Sequence, residues 1–336
     1  MQSFERYAGD RLESVPFTPD FDNPAEQPFA ASFDSFAVLL RADVLDVGGD
    51  PCLPIIPGFI EKMTPNAFAD HVEGVHYIAM HQSLLVTMMD FALFAFTQSA
   101  FLPMIGNAAG EDSPPPLGGE APGLFLLDRT LAGGTITPDA DRHRVPKDAQ
   151  RHIMAVYLAM LMTRFVWLHE LAHCRLGHVV TLQQSGLGAR LFEVPDPLEV
   201  VGFRASSASS TKARDLRHAM ELEADAASLR ECIRLQLAGL ENLPGIAAMD
   251  LPLRLALSIL AAYLMTWLFE EYGRHMDTAN ADSHPAPRDR LARLVALVDD
   301  EYGRKVDGFA ALHNEIKAQF NAVAKTLPAM PTLLRE

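Results

Sequence analysis

Asp148-AQRHIMAVYLAMLMTRFVWLHELAHCRL-Gly177, residues 148–177, reads as one long helix, and the rest of the chain is interpreted outward from it. Asp148 can cap the first turn, and Gly177 can close the last one in the left-handed conformation that L side chains resist. Leu158, Met162, Phe165 and His169 recur at helical spacing on one face, so that face is expected to pack. Within the helix stands His169-Glu170-Leu171-Ala172-His173. Imidazoles four residues apart lie one above the other, close enough to share a metal ion. Neutral histidine nitrogen suits Zn²⁺, which in tetrahedral geometry wants one more protein ligand and a water. Glu170 is rotated about 100° from His169, beside the metal rather than on it, where it can take a proton from that water. A helix with two packed core histidines is the plain alternative.

A third ligand decides between them. Some fifty residues later the chain reads Arg217-His218-Ala219-Met220-Glu221-Leu222-Glu223-Ala224-Asp225. Glu221 and Asp225 are four apart and share a helix face. Glu221 can bind the metal while Asp225 accepts the other ring N–H of a liganding histidine, which fixes its tautomer. Ala224 is small enough to let the two helices cross closely. Glu223, about 200° from Glu221, reads as a solvated charge.

H-E-x-x-H followed by E-x-x-A-D resembles the gluzincin zinc metallopeptidases, in particular the CAAX prenyl endopeptidase family. Ser283-His284-Pro285-Ala286-Pro287-Arg288-Asp289-Arg290-Leu291 is similar to that family's S-H-P-x-x-x-x-R-L segment. The resemblance implies a mainly helical, zincin-like domain. It also implies that His284 helps to stabilise the tetrahedral intermediate and that Arg290 pairs structurally with a charge. The string H-E-L-A-H-C-R-L-G-H more weakly resembles soluble phage-exclusion-type bacterial peptidases, through Gly177 and His178.

Other histidines fit less well. In an unbroken helix His178 would be rotated about 140° from His173, so it reads as a cap or a neighbour of the site rather than a ligand. His218, one turn before Glu221, is a fallback ligand. His71, His76 and His81 read as structural. Cys174 faces away from His173, and Cys52, Cys174 and Cys232 are too few for a disulfide scaffold. Neither a phosphate loop nor a G-x-S-x-G elbow is present.

Around this centre the chain divides into an extended, proline-bearing arm (residues 1–35), a helical region ending in a Pro/Gly-rich loop (36–122) and the metallopeptidase domain (123–336). Within these, 36–47 and 123–128 are expected as strands, a largely helical stretch runs to about 102, and 182–210 is a connection. Further helices are expected over 211–238, over 252–272 and from Pro285. The fold class is mainly α, of α+β type, with a small sheet.

Of 336 residues 49% are apolar, enough for a large core, and the net charge of −15 gives little reason to bind nucleic acid or an anionic membrane. Residues 83–102 contain Asp90, which would cost roughly 3 kcal/mol at mid-bilayer. The run 255–269 is short of the about 20 residues that a span needs. Both are expected as buried helices, although a membrane-bound protease using them is a third possibility. The polar start lacks a secretory signal, and a cytoplasmic setting is expected.

The expected function is zinc-dependent hydrolysis of a protein or peptide substrate. His169, His173 and Glu221 hold Zn²⁺, Glu170 is the general base, His284 assists and Asp225 orients a ligand. Strand 123–128 would hold the substrate in extended form. The alternative is a non-catalytic binding or regulatory protein braced by zinc.

Overall fold

The computed structural model describes residues 3–23, 26–62, 64–116, 122, 144–186, 190–192, 211–243, 245–275, 285–303 and 306–327. The expected strand 123–128, part of the Pro/Gly-rich loop expected before it (106–123, GNAAGEDSPPPLGGEAPG), most of the 182–210 connection and His284 lie outside them. The protein is mainly α with a small mixed sheet, as the sequence implies.

The long helix is α4, Ala149–Arg175. Asp148 caps it, its carboxylate accepting from the backbone N–H of Gln150 (2.9 Å) and Arg151 (3.0 Å). Gly177, with φ +76°, ends it and starts α5, His178–Gln184. One apolar face is expected from the spacing, yet nearly every residue from Leu158 to Arg175 is buried. The reason is enclosure. Helices α2 (Gln27–Arg41), α3 (Gln82–Thr97), α6 (Thr211–Leu237) and α7 (Leu251–His275) all pack against α4. A helix apolar all round belongs in the middle of a protein. Helices α8 (Pro287–Val298) and α9 (Phe309–Ala324) complete the shell against α6 and α7.

Among the described residues, helices α4 and α7 contain the two segments, Ala149–Arg175 and Leu251–Phe269, long and apolar enough to cross a membrane. In each, 78% of the apolar window is buried inside the protein. The expectation that 255–269 is a core helix is met. Within 83–102, α3 stops at Thr97.

The N-terminal third departs from expectation. Rather than an extended arm, it begins with α1, Phe4–Leu12, capped by Ser3, and then the short strand β1, Pro16–Phe17. Residues 36–41 end α2 rather than form a strand, because Phe29, Phe33, Phe36 and Leu40 recur at helical spacing across 27–41. The stretch expected to be helical up to about 102 contains β2 (Ile55–Ile60), β3 (Ala67–Val72) and β4 (Val75–His81) before α3. Glu73 and Gly74, both with positive φ (53° and 82°), form the two-residue turn joining β3 to β4.

With β5 (Arg190–Phe192), the sheet order is β1-β2-β4-β3-β5. Only β2 and β4 run parallel. Side chains alternate between two cores. Tyr77 and Ala79 meet α1, with Tyr7 stacked on Tyr77 at 3.9 Å. Ile78 and Met80 join the main core around α4. There Trp167 is enclosed by Phe33, Phe36 and Phe59. The sheet therefore braces α4 two residues before His169.

Candidate metal centre

Two helices build the site. Helix α4 carries His169, Glu170 and His173 in its last two turns, where the negative end of the helix dipole favours a cation. Helix α6 carries Glu221 and Asp225 on its buried face. Fully buried Ala224 and Ser228 lie on the same stretch of α6, and the Ser228 hydroxyl donates to the Phe165 carbonyl (2.8 Å), tying α6 to α4 one turn before His169.

The donor atoms of His169, His173 and Glu221 all lie within 4.8 Å of one another. His169 Nε2 is 2.8 Å from His173 Nε2 and 3.5 Å from Glu221 Oε2, and His173 Nε2 is 3.6 Å from Glu221 Oε1. All three residues are buried. Behind them, His169 Nδ1 stands 3.1 Å from Asp225 Oδ1. Arg290, from α8, donates through Nε to Asp225 Oδ2 and through Nη2 to Oδ1, each at 2.7 Å. Its Nη2 is also 3.9 Å from Glu221 Oε2.

Burial works against the charge on Asp225. The Arg290 guanidinium and the His169 imidazole outweigh it and hold the carboxyl at about 2. A depressed carboxyl stabilises the fold above its unfolded value near 3.9. That stabilisation is lost as the pH falls through about 2. An ionised Asp225 accepts from His169 Nδ1–H, which leaves the lone pair of Nε2 facing His173 and Glu221.

This donor set fits a divalent cation. Two imidazole nitrogens and a carboxylate, with a carboxylate behind one imidazole, are the ligand chemistry that zinc takes. Buried Glu221 also places a carboxylate where an added cation is electrostatically favourable.

Glu170 is only 1% exposed, adjacent to His169 on α4. Burial first, and the nearby Glu170 charge second, push the Cys174 thiol well above its ordinary range. All three cysteines are free. Neither His178 nor His218 belongs to the converging group. His71 and His76 pair across β3 and β4, and His81 ends β4.

Sequence reasoning missed what His178 touches. Its Nδ1 is 2.9 Å from His173 Nδ1, and its Nε2 is 3.3 Å from Glu223 Oε2. An unbroken helix would carry His178 away from His173; the turn at Gly177 brings it back. Burial lowers His178 to about 3, so it is a neutral imidazole. Glu223, 61% exposed, is the solvated charge expected of it as well as the partner of His178.

The fold and this cluster define a mainly α protein with a buried His–His–Glu set compatible with a zinc ion. The family described as Peptidase U49 matches residues 128–310, more than half of the chain and both site helices, and the protein belongs to that family. It is accordingly a peptidase, a hydrolase of protein or peptide substrates. No curated protein and no solved structure gives a match.

Proposed function

We propose that this peptidase is zinc-dependent, with His169, His173 and Glu221 as the ligands. The observation that carries the reading is the convergence of three buried donors from two helices. When bound, zinc supplies Lewis acidity toward water and toward a carbonyl oxygen. Glu170 takes a proton from the attacking water and returns it to the leaving amine. Asp225 holds His169 in the tautomer that turns Nε2 toward the site, and Arg290 keeps Asp225 ionised. His284, by its resemblance to the prenyl-endopeptidase segment, supplies a donor toward the developing oxyanion. The gluzincin assignment rests on these motifs, and a prenylated substrate would follow only from the same resemblance.

Metal analysis of the purified protein tests the ligand set. The wild type should carry one zinc and Glu221→Ala should lose it; a zinc content unchanged by Glu221→Ala rejects the set. Glu170→Gln should keep the zinc and lose about 10²–10⁴-fold in kcat. A zinc-braced binding protein would instead bind metal and show no hydrolysis at all in the wild type.

A further inference from the structure

We propose that His178 is a positioning residue for His173, and that Glu223 in turn orients His178. The inference rests on reading His173 as a ligand through Nε2. It extends that reading to His178, beyond H-E-x-x-H, and to Glu223, at an unspecified position within E-x-x-A-D.

His173 Nδ1 and His178 Nδ1 are 2.9 Å apart, so one must donate and the other accept. If Nε2 of His173 keeps its lone pair for the metal, its proton sits on Nδ1, and Nδ1 is the donor. His178 Nδ1 is then the acceptor, and its own proton lies on Nε2. That nitrogen faces Glu223 Oε2 at 3.3 Å, a carboxylate that can only accept. This assignment satisfies both contacts of His178, from the buried site to the surface.

The two ligand imidazoles are thus held by different means. His169 leans on Asp225, a buried carboxylate anchored by Arg290. His173 leans on a neutral imidazole whose outer partner reaches water: Glu223 lines a cavity of about 440 Å³ with Leu176, Ala227, Arg230 and Tyr302. The device depends on Gly177, whose φ of +76° reverses the chain and seats His178 at the start of α5. Partners of this kind fix ligand orientation, and their loss typically weakens metal binding about 10–100-fold.

The test compares two replacements of similar size in the full chain. In His178→Asn, Oδ1 can stand where Nδ1 stood and still accept; in His178→Leu nothing can. Zinc affinity is read by competition with a chromophoric chelator, and metal-free thermal stability by circular dichroism. His178→Leu should bind zinc about 10–100-fold more weakly and His178→Asn close to wild type. Equal losses in both, or no loss in His178→Leu, overturn the proposal. Should His178→Leu fail to fold, Glu223→Ala at an exposed position should weaken zinc about two- to fivefold. An unchanged affinity there overturns it as well. A wild type that binds no zinc would be a failure of the ligand set itself, separable from failure of this inference.

Discussion

Helix α4 buries polar groups at both ends, and the two ends differ in what answers them. Near its start, the fully buried Arg151 guanidinium spends all five N–H donors on backbone carbonyls. Nε donates to Phe96, Nη1 to Leu102 and Ile105, and Nη2 to Gln98 and Phe101, at 2.8–3.1 Å. This clamp gathers carbonyls at the end of α3 and in the loop beyond it, two of which, Gln98 and Leu102, also accept the backbone N–H of Phe101 and Ile105. Near its finish, α4 turns imidazole nitrogens and a carboxylate from α6 toward a common point. A closed network such as the first can only hold the fold together. Donors that converge on one another have chemistry left for a ligand.

The sharpest way to break that contrast is Arg151→Met. It takes the guanidinium from five buried carbonyls, two of which keep a backbone N–H, and from buried Glu111, 3.8 Å away; removing one side of a buried ion pair costs about 3–5 kcal/mol. Chemical denaturation should show that loss, while zinc affinity of the folded fraction should stay at the wild-type value. A change in affinity would mean that the two ends are coupled. Asp225→Asn probes the other end. An amide oxygen can still face His169, but the negative charge is gone. Zinc affinity should fall about 10–100-fold in the chelator competition. An undiminished affinity would show that the Asp225 charge does not tune the site. The smallest effect is expected from Ser228→Ala, which removes the hydroxyl donated to Phe165 between the two regions. About 1 kcal/mol of stability should be lost, equally with and without metal.

The site was legible in the sequence because its parts lie on long helices with strong local signals. Spacings of one and four residues fix where His169, Glu170 and His173 point on α4, and Glu221 and Asp225 on α6. The caps at Asp148 and Gly177 were equally plain. The contact between His173 and His178 was not, because it depends on where the chain goes after a left-handed glycine rather than on spacing. The sheet was hidden for another reason. Strands β2 to β4 are short and buried on both faces around β4, and Asp70, His71 and His76 interrupt their apolar residues, so no clean alternation shows. Pro57 inside β2 argues locally against a strand; it is tolerated where β1, paired only with Phe59 and Ile60, does not reach. For α2, a window opened at residue 36 catches only the β-prone end of a helix whose pattern starts at Phe29.

The chain has two tryptophans, and both are sealed in the interior: Trp167 on α4 among three phenylalanine rings, and Trp267 on α7 beside Phe91. The protein thus contains its own optical probe. Native emission should be blue-shifted and poorly quenched by acrylamide. Because one indole precedes His169 by only two residues, loosening around the site should appear as a red shift without any attached dye.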